Sequence, residues 1–364
     1  MTKVFCTGCG VVTPVGNTPT EVFAAVREGK SAFRLYEGWP EPYYASLLDR
    51  SGFEGPSFFD HILLQAARAA VSDAGIDVTG PRVGLVLSSI KGNIEKIDSA
   101  DVSLAASATT LAQALGVQTA PAVVSNACIS GLAALLQGVR MLRTGAYDHV
   151  LVVGAEVQSR FIVTGFQSLK ALSLNPCKPF DAERDGLNLG EAAAAMLLSS
   201  CPSERREESR WELVDCAVRN DANHISGPSR TGEGSYNALR VVLDAVKPEE
   251  LAFVNVHGTA TRYNDQMEAI ALNRAGLQDV PVNALKGTFG HTMGAAGILE
   301  SIVSMQACDA GVVLPTKGFS TMGVDPAVSV SARERNTDKK AFIKLLSGFG
   351  GVNGALLFRK GGGR

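Results

Sequence analysis

Short, wholly apolar runs alternate along this chain with helix-length amphipathic stretches, and that alternation leaves few architectures open. Val83-Gly84-Leu85-Val86-Leu87 and Val150-Leu151-Val152-Val153 are too brief for buried helices and show no polar alternate positions. They read as strands covered on both faces, which requires helices packed above and below a sheet. The fold class is therefore α/β with a layered sheet core. At 364 residues, 46% hydrophobic and 19% charged, the chain can build one large core or two fused ones.

The two halves carry a similar pattern. Strand-like Ala122-Val123-Val124 leads through Ser125-Asn126-Ala127-Cys128-Ile129-Ser130 to Gly131, and an amphipathic helix pattern then runs to Gly145. Later, Val282-Asn283-Ala284-Leu285 leads through a glycine-rich turn to Gly297, and a helix pattern of the same length runs to Gly311. Both read strand, special turn, helix, C-terminal glycine, and spacing of this kind arises by chance as well as by duplication. One special turn holds Cys128, the other His291. The most polar interruption, Cys201 to Arg210, follows the alanine-rich run Glu191 to Leu198, so the halves are expected to be residues 1–205 and 206–364.

Charge and cysteine usage exclude several classes of function. With 34 basic and 36 acidic residues the net charge is −2, so no global field attracts nucleic acid or anionic lipid. No apolar run approaches the ~20 residues needed to cross a bilayer. Met1-Thr2-Lys3-Val4-Phe5 lacks the apolar stretch of a secretory signal, and the protein is expected in the cytoplasm. The seven cysteines, 6, 9, 128, 177, 201, 216 and 308, are odd in number and form no ladder of metal-ligand pairs. Cys6 and Cys9 make a single Cys-x-x-Cys inside an apolar strand-like run, which suits a buried structural role better than zinc or redox chemistry.

Cys128 stands where a strand turns into a helix. There its sulfur lies beside unpaired N–H groups and the positive end of the helix dipole, which favour thiolate. Taken alone, a cysteine at a helix start is better read as a small apolar residue, and lone histidines such as His61 and His149 as satisfied structural groups.

The surrounding motifs alter that balance. Asn126-Ala127-Cys128-Ile129-Ser130-Gly131, Val254-Asn255-Val256-His257-Gly258-Thr259-Ala260-Thr261, Lys286 through His291 to Gly297, and Gly348-Phe349-Gly350-Gly351-Val352-Asn353-Gly354 occur in that order. Together they resemble the motif set of the elongating β-ketoacyl-acyl carrier protein synthases. Thr7 to Asn17 and Pro179 to Gly186 resemble that family too, so the similarity runs nearly end to end. The resemblance implies a thiolase-like fold, two similar βαβαβαββ halves in an α-β-α-β-α arrangement. It also implies a reaction in which an acyl group is loaded onto Cys128 and then joined to a two-carbon unit released by decarboxylation of a malonyl thioester.

Residue roles follow from the same resemblance. His257 and His291 donate N–H groups to the thioester oxygen as it gains charge, the chemistry such a transition state needs. Lys286 organises the histidines, and Glu268 is the buried acid expected to pair with Lys286. For Glu268 a surface reading beside Asp265, three residues away on one helix, stays open. Backbone N–H groups of Cys128 and Phe349 form the oxyanion hole, with the Phe349 ring as a gate. Thr259 and Thr261 hold a phosphopantetheine arm delivered by acyl carrier protein, and Lys170 faces that acidic partner. No metal and no resident cofactor are implied. A homodimer is expected, with a heterodimer containing a chain-length-factor-like subunit as the alternative.

The match departs from the family in places. Ile129 follows the nucleophile where the family has smaller residues, and is expected to crowd the site. Ser88 to Asn93 replaces a glycine-rich stretch that lines the acyl pocket, and the segment before Cys128 is short, as in compact relatives of polyene pathways. A degradative thiolase would carry a second catalytic cysteine near the C-terminus, whereas Cys308 lies mid-helix. A non-catalytic scaffold partner would be expected to lack Cys128.

Overall fold

The computed structural model, which describes residues 2–98, 102–201 and 211–361, contains one run of elements twice. In the first half β1 (Phe5–Val12) precedes α1 (Phe58–Ala74), β2 (Val83–Ser88), α2 (Leu104–Leu115), β3 (Ala122–Val124), α3 (Ser130–Arg143), β4 (His149–Glu156) and β5 (Ala192–Ser199). In the second, β6 (Trp211–Asn220) precedes α4 (Glu233–Leu243), β7 (Leu251–Asn255), α5 (Arg262–Arg274), β8 (Val282–Asn283), α6 (Ala296–Asp309), β9 (Ala341–Gly348) and β10 (Val352–Lys360). The strand order is β3-β2-β4-β5-β1 in one half and β8-β7-β9-β10-β6 in the other, which is the same order. Pairing directions also repeat: in each half the last strand is antiparallel to both neighbours, and the remaining pairs are parallel. The two βαβαβαββ units implied by the resemblance are both present. The expected boundary between residues 205 and 206 lies outside the described residues.

Alternate residues of each buried run serve different layers. Val150 and Val152 of β4 and Ala194 and Met196 of β5 pack on Leu135 and Val139 of α3 and on Ile298 and Ile302 of α6, joined from the other half by Phe342 and Leu346 of β9. The intervening residues Leu151, Val153, Ala193 and Ala195 face Phe59, Ile62 and Leu63 of α1 and Leu111 of α2. On the far side Ile343 and Leu345 of β9 face Leu239 and Val242 of α4 and Leu272 of α5. These contacts define helix, sheet, helix, sheet, helix. Each buried Val, Leu or Ile contributes ~1.5–3 kcal/mol. A charge placed on either face of Val150–Val153 in β4 has no path to water, which is why that run is apolar.

The central layer sets up the site. α3 and α6 cross so closely at their first turns that a Cβ on Gly297 would lie 2.4 Å from the Leu132 backbone nitrogen, and one on Gly131 2.7 Å from the Gly294 carbonyl oxygen. Only glycines allow that approach. It brings the turn before α3, with Cys128, against the turn before α6, with His291. Neither helix has a side-chain cap; instead the Ser130 amide donates to the Ala127 carbonyl and the Ala296 amide to the Met293 carbonyl, tightening both turns at that junction.

On β1, Cys6 and Cys9 are buried with sulfurs 3.3 Å apart, as a structural pair would be. Among the described residues no helix is long and apolar enough to cross a membrane.

Candidate active site

Cys128 is held by a braced turn. Ala127 adopts a left-handed φ of 45°, a conformation that costs a non-glycine residue ~1 kcal/mol or more. The Ser130 hydroxyl offsets this by donating to the Ala127 carbonyl at 2.6 Å while accepting from the Asn126 amide at 2.7 Å. Opposite lies the β9–β10 loop. Gly348 lets it approach, since a Cβ there would stand 3.1 Å from the Cys128 nitrogen, and Gly350 and Gly351 turn it with φ of 83° and 74°. The Gly350 amide donates to the Ile225 carbonyl at 2.7 Å and Asn353 Nδ2 to the Gly351 carbonyl at 2.9 Å. The backbone amides of Phe349 and of Cys128 itself thereby address the Cys128 sulfur.

The expected thiolate is not the resting form. Burial pushes the Cys128 thiol up to about 11, outweighing the Phe349 amide, the Lys286 charge and its own amide, which all pull the other way. The pull toward thiolate comes from those two amides and Lys286 rather than from the helix terminus, and removal from water acts more strongly.

His257 follows β7 and His291 follows β8. Both rings are buried, with centroids 5.0 Å apart and planes at 81°. Reactive atoms of Cys128, His257 and His291 lie within 4.8 Å of one another. Burial first, then the charge on Lys286, lowers both histidines well below the ordinary range, and Lys344 adds to the effect, so each ring is neutral. The Met293 amide donates to His291 Nδ1 at 3.2 Å. That nitrogen therefore holds the lone pair, and the ring proton sits on Nε2. His291 Nε2 and His257 Nδ1 are buried without a hydrogen-bond partner among the described residues.

The expected pairing of Glu268 with Lys286 is corrected. Lys286 Nζ donates to Glu300 Oε1 on α6 at 2.8 Å, both residues being buried. Glu300 Oε2 meets a second buried ammonium, Lys344 of β9. Burial raises the Glu300 carboxyl, yet Lys286 and Lys344 together hold it below its ordinary value. Glu268 is fully buried, not on the surface, and accepts from the amides of His257 at 2.6 Å and Gly258 at 2.8 Å. Asp265 does the same for Thr259 at 3.0 Å. These two acids of α5 shape the turn that presents His257. Burial and the neighbouring Asp265 raise Glu268 to about 7.

Two cavities meet at Cys128. A cleft of about 400 Å³ is lined by Cys128, both histidines, Thr259, Thr261 and Lys170. A second cavity of about 230 Å³ is bounded by Ile90, Lys91, Phe161, Ile162 and Met293, and also reaches Cys128. Phe166 and Phe349 line both, stacked at 5.9 Å, so the ring pair stands at the partition. The Thr259 and Thr261 hydroxyls are 3.0 Å apart, and Lys170 is exposed at the rim. Ile90 and Lys91 place the 88–93 segment on the second cavity, whereas Ile129 does not crowd the site. Its side chain is fully buried in the central core. Sequence reasoning missed Glu300, Lys344 and Phe166. The first two were detectable as charges inside largely apolar runs, Ile298-Leu299-Glu300-Ser301-Ile302 and Phe342-Ile343-Lys344-Leu345.

Residues 54–202 match the family description "Beta-ketoacyl synthase, N-terminal domain" and residues 211–320 "Beta-ketoacyl synthase, C-terminal domain". The chain is 28% identical to 3-oxoacyl-[acyl-carrier-protein] synthase 2 of Vibrio cholerae, covering 98% of this chain and 99% of that one. It is 29% identical to the tetracenomycin polyketide synthase ketoacyl synthase alpha subunit of Streptomyces glaucescens, over 98% and 97%. Among solved structures, the ishigamide ketosynthase/chain length factor superposes with a TM-score of 0.88 at 26% identity, covering 99% of each chain.

Proposed function

The chain belongs to the β-ketoacyl synthase family, and on that premise we propose that it extends carrier-bound acyl thioesters, using Cys128 as nucleophile and His257 and His291 as enolate donors. The observation that carries this reading is the gathering of the three reactive groups within 4.8 Å, under two backbone amides and between two cavities.

Acyl transfer comes first. The Cys128 sulfur bonds to the acyl carbonyl carbon, and the amides of Cys128 and Phe349 take the charge on the oxygen. Because the thiol starts protonated, its proton leaves as the bond forms. It ends on the departing phosphopantetheine thiolate, with neutral His257 as relay, since His291 Nε2 already carries a proton. The malonyl thioester then loses CO2. Negative charge grows on its thioester oxygen, where N–H groups of His257 and His291 receive it. The resulting carbanion attacks the acyl group on Cys128 and expels the thiolate, which is reprotonated from water.

In this reading the cleft admits the phosphopantetheine arm past Thr259 and Thr261, with Lys170 at the rim facing acyl carrier protein, and the smaller cavity receives the acyl chain. Phe349 and Phe166 gate passage between them. Pairing with a second subunit of the same fold, identical or chain-length-factor-like, is supported by similarity to the ishigamide ketosynthase/chain length factor.

Incubation with acyl carrier proteins of graded acyl length, read by intact-mass spectrometry, tests the proposal. The acyl mass is expected on Cys128 and absent in Cys128→Ala. Cys128→Gln is expected to lose transfer but still release CO2 from malonyl carrier protein. Elongation by Cys128→Ala would overturn the assignment.

A further inference from the structure

β9 is buried along nearly its whole length, and Lys344 in its middle is 0% exposed. Taking an ammonium out of water costs several kcal/mol unless its donors are all met. Lys344 Nζ reaches Asn255 Oδ1 at 2.6 Å, the Val256 carbonyl at 3.1 Å and Glu300 Oε2, an oxygen for each proton. Those three partners belong to the elements that build the site. Asn255 and Val256 lead directly into His257, and Glu300 lies on the helix that follows His291. Lys344 itself lies on the strand that ends at the Phe349 loop, with its Cα in register with Asn255. Across the carboxylate, Lys286 Nζ meets Glu300 Oε1 alone among the described oxygens.

One buried carboxylate thus serves two ammoniums, and the cluster keeps an excess positive charge behind the histidines. Resting on the reading above, we propose that Lys344 is a positioning residue for the decarboxylation half of the reaction: by occupying one oxygen of Glu300, it leaves the charge of Lys286 directed at His257 and His291. Without it Glu300 would neutralise Lys286. The charged groups facing Lys344 are Glu300 from α6, Lys286 from the turn before His291 and, at longer range, Glu268 from α5. The Lys344 charge reaches both histidines, whereas the Cys128 thiol is governed first by burial and the Phe349 amide, with Lys286 behind them. The two half-reactions should therefore respond differently to its loss.

Lys344→Met in the full chain is the test, with acylation of Cys128 followed by mass and malonyl decarboxylation by CO2 release. Acylation is expected within about threefold of the parent and decarboxylation reduced about tenfold or more. Burial pushes Lys344 down to about 8, against the pull of Glu300. The parent's decarboxylation should therefore fall as pH rises through that value, because the excess charge is lost, and Lys344→Met should lack this limb. Should Lys344→Met not fold, the parent's pH profile stands as a test, as does partial rescue of Lys344→Ala by ethylammonium. Equal losses in both half-reactions, an unchanged pH limb in Lys344→Met, or a parent profile flat across that range would overturn the inference. A parent that never acylates Cys128 would instead overturn the function proposed above.

Discussion

Glu156 ends β4 fully buried, with its carboxylate accepting from the Ser89 hydroxyl at 2.6 Å and from the Ile90 amide. No cation pairs with it at ion-pair distance among the described residues, and burial raises it from 4.5 to about 7. A carboxyl raised by folding adds stability that is fully present below about pH 4.5 and is lost as pH climbs through about 7. At pH 8 the folded chain must hold that carboxylate out of water, at a cost on the order of 3 kcal/mol. Glu156→Gln is expected to melt above the parent at pH 8, with the gap closing toward pH 5. A gap constant across that range in thermal melts would sink the buried-carboxyl account. Residue identity and order pointed to Cys128, His257, His291, Lys286 and the Phe349 loop, and the structure gathers all of them. Partners were harder to read. Whether Lys286 meets Glu268 or Glu300 depends on how the turn after β7 closes, and that closure is set by hydrogen bonds from its amides to the buried carboxylates of α5. The protonation of Cys128 depends on burial opposing the Phe349 and Cys128 amides and the Lys286 charge, and a local strand-turn-helix pattern reveals neither the burial nor the Phe349 loop.

At the scale of elements, the crossing of α3 and α6 decides whether the two reactive turns meet. A Cβ on Gly297 would press on backbone, which cannot rotate away as a side chain can. Gly297→Ala should therefore push the helices apart, costing ~1–3 kcal/mol and moving Cys128 away from His291. Acylation of Cys128 is expected to fall further than thermal stability. Gly80→Ala serves as the comparison, since nothing lies within 4 Å of a Cβ there. Equal acylation by both variants would show that the crossing does not set the site's geometry. The strand-turn-helix pattern of these elements was visible in the sequence because both turns lie in short local stretches. The three-stranded sheet of Phe33–Tyr36, Tyr43–Ser46 and Leu189–Gly190 was not. Its third strand comes from far along the chain, where local periodicity carries no information.

For the whole molecule, the repeated strand order raises the question of whether each half is a folding unit. Among the described residues their sheets meet edge to edge over a short stretch, Phe5 with Glu212, Cys6 with Trp211 and the Leu213 amide on the Val4 carbonyl. The central core, by contrast, draws Leu135, Val139, Val150 and Met196 from one half and Ile298, Ile302, Phe342 and Leu346 from the other. An isolated first half would expose the face of α3 that α6 covers, an apolar surface too continuous to stay in water. The polar stretch Cys201 to Arg210 suggested a boundary from sequence, but composition cannot tell a linker between independent domains from a link inside one core. The shared layer predicts the latter. Residues 1–205 or 206–364 expressed alone should aggregate or melt without a cooperative transition, while the two co-expressed should recover a soluble complex that acylates Cys128. Size-exclusion chromatography and calorimetry decide between the outcomes. A sharp calorimetric transition from either half alone would mean that the α3–α6 layer joins two finished domains, and the loss expected of Gly297→Ala would then fall on activity with little effect on melting.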